Sequence, residues 1–510
     1  MYFYVDAERL EKRGRIADLG VAIYPDKYLQ RISTDELKAK DVSFERDWND
    51  IMENTQETFR LAGRLMLKRV MGKLCFASIQ DFHGRMQICF KDGFTKIAGL
   101  DEEKMSSRKF WEKLIDLGDH VGVEGEIFRT KHDEKTLLIK ELTFLGKALR
   151  PMPEKFQGVA DDEIKLRQRY LETLSDESAR KRFKVRSDVI RVVREFMWSH
   201  DFMEVETPML EHEATGAAAQ PYHTHNNALD IDLVLRISHE LPHKKLIVGG
   251  YEKVFEIGKV FRNEGIDPSH LPEHTHFEWY AAYWSFEENM QFMEELYKHI
   301  FTSLKIDPKI EVKDKQGDMK IVDFGQTWER IDYVDLLKQD SGIDITVVTT
   351  QEELLKKIKE QDIHIDGMND MGYATLVDYL YKKVSRPQIL GPAFLYNYPK
   401  SMKPLARSND ENPDMTDAFQ LVVNGWELCN AFSELVDPIE QDLRFKEQAV
   451  GVAAGDEEAF RGDDEYILAM EYGLPPTSGV GPGLDRFIAL ITGQDNLRDI
   501  VFFPLMRPRG

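Results

Sequence analysis

The sequence predicts an α+β protein in which a small β-barrel precedes a larger domain of strands and long helices. Residues 60–145 contain several runs in which apolar and polar side chains alternate with the two-residue period of a strand. Residues 146–158 contain two prolines and no period, which is typical of a linker. From about residue 160 onward, helical periodicity appears between shorter alternating runs.

Composition limits the possible functions. The chain has 510 residues, 42% of them hydrophobic, which is enough for two or three packed domains and excludes a wholly disordered chain. Three cysteines are too few for a disulfide framework or a Cys-rich zinc site, so we expect a reducing, cytoplasmic location. No secretory signal and no apolar run of about 18 residues is present, so we expect no membrane contact.

The predicted barrel has a basic, aromatic face. The net charge of −22 argues against general nucleic-acid binding, but residues 61–90 hold five basic residues and one acidic residue. The polar faces of two predicted strands carry Phe76 and Gln87. An aromatic side chain there is either a packed edge residue or a stacking platform for a base. A barrel of about 90 residues with such a face is typical of an OB-fold.

The larger domain contains one predicted hairpin whose loop could carry a functional site. Residues 183–200 form a predicted helix, followed by a strand that ends at Pro208. In residues 252–283 two alternating strands flank a polar loop, with Arg262 at the loop's mouth. Its planar guanidinium can grip a carboxylate or phosphate, although an Arg beside acidic residues more often forms a plain ion pair.

Three segments resemble the signature motifs of the class II aminoacyl-tRNA synthetases. FRNEG (261–265) followed by FEWY (277–280) resembles motif 2, the helix, strand and Pro208 are similar to motif 1, and GVGPGLDR (479–486) resembles motif 3. Other blocks resemble those of the lysyl-tRNA synthetases in particular: GRLMLKRVMGK (63–73), KALRPMPEKFQG (147–158), TGAAAQPYHTHNNALDIDLVLRIS (215–238), KPLARSND (403–410), ELCNAFSEL (427–435) and GLPPTSGVGPGLDRF (473–487).

This resemblance implies a domain organisation and an activity. We expect a helical extension (1–55), an OB-fold anticodon-binding domain (56–148), a linker (149–162) and a class II catalytic domain with an antiparallel sheet flanked by helices (163–510). The implied activity uses ATP and Mg²⁺ to convert L-lysine to lysyl-adenylate and then transfers lysine to its tRNA. The implied assembly is a homodimer.

The resemblance also implies the site residues. For lysine these are Gly216 and Glu240 on the α-amine, Arg262 and Asn430 on the carboxylate, Glu278, Tyr280 and Glu434 around the ε-ammonium, Phe432 over the stem, and Gly481, which leaves room. For ATP they are Arg262, Arg486 and His270 on the phosphates, Glu264 and His274 at the adenine end, and Glu427 through the metal; Arg262 and Arg486 would be catalytic. For the anticodon they are Phe76 and Gln87, with Lys68, Arg69 and Glu134 nearby.

The metal site can be examined by strand register. Asn424-Gly425 predicts a two-residue hairpin, which would place Val422 opposite Glu427 and Gln420 opposite Cys429. In the family, acidic residues at the positions of Gln420 and Glu427 hold Mg²⁺ against the ATP phosphates. Here the first of these positions has a neutral glutamine. Counting with period 2 puts Asn430, Phe432 and Glu434 on the other face from Glu427, so a bulge or a strong twist is required.

Departures from the family pattern leave alternatives open. Besides Gln420, they are Pro242, Leu271, His274 and Pro482, and they favour a second hypothesis, a non-charging paralogue with a binding or regulatory role. Aspartate or asparagine as the substrate is disfavoured, because Glu240 and Glu434 are acidic. The histidines raise the question of zinc, but their spacings match no standard zinc pattern: His223, His225, His270, His274 and His276.

Overall fold

The computed structural model describes residues 5–40, 57–152, 161–217, 219–265, 267–314, 316–453 and 462–508. The chain divides into two compact units, residues 1–158 and 159–510. The predicted fold class is confirmed: a small barrel in the first unit is followed by a helix-flanked, largely antiparallel sheet in the second. Parts of the predicted extension (1–4 and 41–56) and of the predicted linker (153–160) lie outside the described residues.

The first unit is a six-stranded barrel. The strand order is β3-β2-β1-β5-β6-β4, and a parallel pairing of β3 with β6 closes the sheet. The strands are β1 (Phe59–Met71), β2 (Leu74–Gln80), β3 (Arg85–Lys91), β4 (Lys96–Ile97), β5 (His120–Arg129) and β6 (Lys135–Gly146). The helices are α1 (Ala7–Asp18), α2 (Thr34–Ala39) and α3 (Ser107–Leu114).

The alternating pattern of the sequence fills this barrel. Cys75, Ala77 and Ile79 of β2 are at most 2% exposed and point into the core, as the two-residue period requires. Sequence periodicity did not reveal α3, which adds buried aromatic residues to this core. The predicted charged extension contributes Ile16 and Leu37, the apolar residues that α1 and α2 bury.

The second unit is larger. Its strands are β7 (Met203–Glu204), β8 (Leu210–Glu211), β9 (His223–Asn226), β10 (Ile231–Leu235), β11 (Lys253–Phe261), β12 (Glu273–Ala282), β13 (Lys309–Lys313), β14 (Met319–Asp323), β15 (Glu329–Asp332), β16 (Ala393–Pro399), β17 (Met415–Val423), β18 (Trp426–Ser433) and β19 (Thr477–Pro482). Its helices are α4 (Asp162–Arg167), α5 (Arg169–Ser175), α6 (Glu177–Ser199), α7 (Glu240–Val248), α8 (Phe286–Leu304), α9 (Tyr333–Ser341), α10 (Gln351–Glu360), α11 (Tyr373–Val384), α12 (Pro438–Ala453), α13 (Asp464–Glu471) and α14 (Leu484–Ile491).

An eight-stranded sheet organises this unit, with the order β15-β16-β17-β18-β19-β12-β11-β7. Only its two edge pairings, β15–β16 and β7–β11, are parallel. Helices α6, α8 and α14 pack on one face through a common apolar core that includes Phe277 and Trp279 of β12. The alternate residues of β12, Glu278 and Tyr280, therefore point to the opposite face, as the sequence predicted.

Across the described ranges, no helix is both long and apolar enough to cross a membrane.

Gly125 tests the packing of the barrel. A Cβ added there would lie 1.9 Å from the carbonyl oxygen of Leu138, beside the bulge between β5 and β6. We expect Gly125→Ala to destabilise the first unit by at least about 2 kcal/mol, because overpacking a tight core forces the backbone to shift. Thermal unfolding followed by circular dichroism measures the effect.

Gly14 is the matched control for this substitution. It lies in α1, and no atom lies within 4 Å of an added Cβ. Gly14→Ala should stabilise the unit slightly, because alanine is the better helix former. Equal unfolding temperatures for the two variants would contradict the packing described for Gly125.

Candidate active site

A cavity of about 640 Å³ opens on the sheet face that α6, α8 and α14 leave uncovered. The structure brings nearly all the predicted lysine, ATP and metal residues to its wall: Gly216, Glu240, Arg262, Glu264, His270, His274, Glu278, Tyr280, Gln420, Glu427, Asn430, Phe432, Gly481 and Arg486. Glu434 is the exception. It is 1% exposed and lies just behind the wall, where a Cβ added to Gly479 would be 2.6 Å from its Oε1.

A bulge in β18 gathers the residues of the β17–β18 hairpin. Asn424 and Gly425 both have positive φ angles and form the predicted two-residue turn, and Val422 pairs with Glu427 as expected. The prediction that Gln420 pairs with Cys429 is wrong. The register shifts by one residue, so Gln420 pairs with Asn430. Because directly opposed residues point to the same side, this shift places Gln420, Glu427 and Asn430 on the cavity face.

The end of the cavity that carries Glu240 and Glu434 also contains a lysine that sequence analysis missed. The Lys244 ammonium is fully buried and lies 2.7 Å from Glu240 Oε1 and 2.5 Å from Glu434 Oε2. One fixed cation therefore bridges both carboxylates that were predicted to bind the two amines of the substrate. Glu240 and Lys244 have the i,i+4 spacing of an ordinary surface pair, so the sequence contained a signal for their contact but none for its burial.

The charges of this cluster cancel only while one of its two carboxyl groups keeps a proton. The two carboxylates raise the pKa of Lys244 and keep its ammonium protonated. Burial raises the pKa of Glu434 to about 8, with Lys244 opposing the shift and Glu240 adding to it. Glu434 Oε1 is buried and accepts no hydrogen bond from any residue within the described ranges. Two acids, one base and an unsatisfied oxygen together form a site for a second cation.

Glu278 extends the same acidic surface. Its Oε1 accepts a hydrogen bond from Ser238 Oγ at 3.2 Å, and its Oε2 lies 3.4 Å from the Tyr280 hydroxyl. Burial would raise the pKa of Glu278, but His276, 3.0 Å away, outweighs this effect and holds the pKa below its usual range. Glu278 is therefore a carboxylate that can accept further hydrogen bonds.

Two arginines, Arg262 and Arg486, line the other end of the cavity. Arg262 forms no salt bridge with any described residue, and its Nε lies 3.4 Å from the carbonyl oxygen of Ile237. The plain ion pair considered from the sequence is therefore absent from the described part of the chain. Arg486 donates from Nη1 to the Glu427 carbonyl at 2.8 Å, and its Nη2 lies 3.5 Å from His270 Nε2. Both guanidiniums keep donors for an anion in the cavity.

Two further contacts constrain the middle of the cavity. Lys403 Nζ donates to Asn430 Oδ1 at 2.5 Å and lies 4.8 Å above the Tyr398 ring. The Asn430 carbonyl is thereby occupied, which leaves its amide N–H groups as the available donors. The Tyr398 hydroxyl donates to Gln420 Oε1 at 2.9 Å, which leaves one lone pair on that oxygen. Lys403 was not among the predicted site residues, although it begins the KPLARSND block.

The predicted adenine end is lined by Leu271 and His274 from the hairpin loop, with Glu264 nearby. Burial lowers the pKa of His274 to about 2, so its ring is neutral and can stack on a flat ligand. Leu271 is 7% exposed and belongs to the core under the sheet, which explains an apolar residue in this loop.

Lys68 and Arg69, which the resemblance grouped together, point to opposite sides of strand β1 in the barrel. Arg69 pairs with Phe76, and Gln87 pairs with Ser78, so Arg69, Phe76 and Gln87 share one face. Lys68 pairs with Ala77 on the core side, and its Nζ donates to the carbonyl groups at the end of α3, including Ile115 at 2.8 Å. The contacts of Lys68 are those of a helix cap.

The predicted face continues across β6. Gln87 Nε2 donates to Thr136 Oγ1 at 2.8 Å, and Thr136 Oγ1 donates to the Glu134 carbonyl at 3.2 Å. Phe76 is half-buried on a small apolar cluster that contains Cys89 and Phe128. Its ring is thus supported from below and available from above.

Comparisons with known proteins identify related families. A family profile described as tRNA synthetases class II (D, K and N) matches residues 161–507, and one described as an OB-fold nucleic acid binding domain matches residues 59–145. The lysine–tRNA ligase of Lactococcus lactis subsp. cremoris (strain SK11) is 39% identical over 500 residues, which cover 98% of this chain and 97% of the relative. That of Fervidobacterium nodosum is 39% identical over 98% of this chain and 94% of the relative, and that of Staphylococcus haemolyticus is 38% identical over 98% of both.

Lys244→Met tests the buried charge cluster. Removing the ammonium leaves the Glu240 carboxylate buried without its counter-ion, so we expect the second unit to lose about 3–5 kcal/mol of stability. Urea unfolding measures the loss, and Glu240→Gln in the same chain should restore part of it.

Lys245→Met is the control. Lys245 is partly exposed and lies 3.5 Å from Asp463, so its removal should cost less than about 1 kcal/mol. A Lys244→Met protein as stable as the Lys245→Met protein would contradict the assigned role of Lys244.

Proposed function

The chain belongs to the lysine–tRNA ligases of class II, and we propose from this membership how its residues activate L-lysine with ATP and charge tRNA. One observation carries the proposal: two buried carboxylates share a single fixed ammonium beside a cavity whose other end carries two arginines. A ligand that suits this cavity is cationic at one end and anionic at the other.

We infer the following placement of lysine. Glu434 Oε1, which lacks a hydrogen-bond donor among the described residues, and Glu278, beside Tyr280, would receive the ε-ammonium. Glu240, with the backbone at Gly216, would receive the α-amine. Phe432 would cover the aliphatic stem, and Gly481, which lines the cavity without a side chain, would leave it room.

The first step needs positioning more than acid–base chemistry. With Arg262 and the Asn430 amide on the lysine carboxylate, one carboxylate oxygen would attack the α-phosphorus of ATP, and pyrophosphate would leave. A carboxylate is already a nucleophile, so charge neutralisation and alignment supply the rate. Arg262 would also meet the α-phosphate, and Arg486 with His270, whose side chains lie 3.5 Å apart, would meet the outer phosphates.

The donor set at the β17–β18 hairpin fits Mg²⁺. Glu427 offers a carboxylate, and Gln420 offers one remaining lone pair on the same cavity face. A Mg²⁺ ion usually takes one or two carboxylates together with substrate phosphates, so Glu427 would be its main protein ligand. When bound, the ion neutralises and orients the phosphates of ATP.

The barrel would bind the anticodon through Phe76, Gln87 and Arg69, since unstacked loop bases are the part of RNA most easily read by side chains. In the second step the terminal ribose hydroxyl of tRNA would attack the adenylate carbonyl, releasing AMP. We further propose a homodimer, on the resemblance to motif 1, and a cytoplasmic location, on the scarcity of cysteine.

Lysine-dependent ATP–pyrophosphate exchange tests the activity and the pocket together. Glu434→Gln should raise the KM for lysine by at least about 30-fold, equivalent to about 2 kcal/mol, and leave the KM for ATP within about threefold. Glu287→Gln, at an exposed position on α8, is the control and should change neither. Equal losses for lysine and ATP would show that Glu434 is not a lysine ligand.

The raised pKa of Glu434 predicts proton release when lysine binds. In the folded protein this carboxyl keeps its proton up to about pH 8, whereas the binding of an ammonium group requires the ionised carboxylate. Lysine affinity should therefore rise as pH increases from 7 to about 8. Calorimetry in buffers of different ionisation enthalpy should detect the released proton at pH 7, and Glu434→Gln should abolish this signal; a buffer-independent heat for the unsubstituted protein would refute the assignment.

Phe76→Ala separates the barrel from the catalytic unit. Loss of one stacking platform typically costs about 1–3 kcal/mol, so the KM for tRNA should rise about tenfold while pyrophosphate exchange is unchanged. Phe82→Ala, which removes an exposed aromatic ring in the β2–β3 turn, should leave both unchanged. A parallel fall in exchange for Phe76→Ala would remove its proposed role.

A further inference from the structure

A cluster of histidine and glutamate side chains adjoins the cavity wall near Glu278. Glu256 of β11 and Glu278 of β12 are directly opposed across the hairpin. Three imidazoles adjoin these carboxylates: His239, His243 and His276. Two sets of ligand atoms lie within 4.8 Å of one another: one from His239, His243 and Glu256, the other from His239, His276 and Glu278.

His239 is the residue that the proposed function leaves unexplained. It is 0% exposed, and neither ring nitrogen has a hydrogen-bond partner within the described ranges. Its ring centroid lies 5.3 Å from that of His276 and 5.7 Å from that of His243. Its ligand atoms lie within 4.8 Å of those of both carboxylates, Glu256 and Glu278. A buried polar group of this kind requires a partner.

The set containing Glu256 is the poorer metal site. The spacing of His239 and His243 matches the H-E-x-x-H helix motif of zinc hydrolases, a signal that sequence analysis overlooked. Glu256, however, already accepts hydrogen bonds from Arg236 Nη1 at 2.7 Å and from the Thr207 hydroxyl at 2.7 Å. A metal ion there would meet a buried guanidinium.

The set containing Glu278 has the features of a metal centre. His276 Nδ1 and Glu278 Oε1 already face each other at 3.0 Å, and this contact must open to about 3.4 Å for both atoms to bind one tetrahedral zinc. Both residues line the cavity, so an ion has a route of entry. Imidazole and carboxylate donors suit Zn²⁺ and Co²⁺ more than Mg²⁺.

We propose that His239, His276 and Glu278 bind a divalent transition-metal ion such as Zn²⁺, with the fourth position open toward the cavity. The bound ion gives the His239 imidazole the partner it lacks. One consequence rests on the proposed function: an ion on Glu278 opposes a second cation there, so Zn²⁺ and lysine compete. Direct metal binding does not depend on that consequence and can be measured without any substrate.

Co²⁺ titration of the chelator-treated, full-length protein in excess Mg²⁺ tests the proposal. We expect one Co²⁺ per chain, with visible d–d bands that Zn²⁺ removes. His239→Asn and His276→Asn should weaken binding at least about tenfold, since even outer-shell partners of zinc ligands contribute about 10–100-fold. His243→Asn, and His225→Asn at an exposed site near Asp232, are the matched controls and should stay within about twofold.

Three results would overturn the proposal: no stoichiometric Co²⁺ or Zn²⁺ binding, loss of binding in His225→Asn, or loss in His243→Asn with binding retained in His276→Asn. Circular dichroism checks the fold of each variant. X-ray absorption of the zinc-loaded, unsubstituted protein requires no variant. It should report two imidazole donors with oxygen, and a sulfur donor would contradict the site. If Zn²⁺ binds but lysine does not displace it, the competition with lysine is wrong while the metal site stands.

Discussion

Buried charges must be balanced, and the ammonium of Lys244 between Glu240 and Glu434 meets this requirement at the centre of the second unit. It joins the first turn of α7 to the segment after β18, which are distant in sequence. Tyr280 and Phe432 pack around the same cluster. Because one cation faces two acids, Glu434 keeps its proton near neutral pH, and its carboxyl can ionise when a second cation arrives beside it.

The bulge in β18 determines which side chains of this strand face the cavity. Without the extra residue between Glu427 and Asn430, the two-residue period would turn one of them away from the cavity. The shift lets the hairpin present the Glu427 carboxylate and the Asn430 amide on one surface. Strand β19, across from β18, contributes Gly479, whose missing side chain leaves space for the Tyr280 ring and the Glu434 carboxyl.

Much of this arrangement could be predicted from the sequence, because alternation fixes which face a strand residue occupies. Phe277 lies in the core and Glu278 on the cavity side, as the pattern of the hairpin required. Register is harder, since one bulge reverses every later assignment, and period counting failed between Gln420 and Cys429. Long-range contacts were beyond reach: nothing local marks Lys244 as buried or brings Lys403 to Asn430.

The end of α3 has a consequence for how the barrel holds a polyanion. Of the basic residues counted on its strands, Lys68 caps α3, Arg64 donates to the Gly118 carbonyl and Arg85 to Gln80. These three side chains keep their charge but direct their donors to groups of the barrel itself. The face shared by Phe76, Gln87 and Arg69 would then hold an RNA loop through ring stacking and an amide beside one guanidinium, with phosphate contacts left to other cations of the chain.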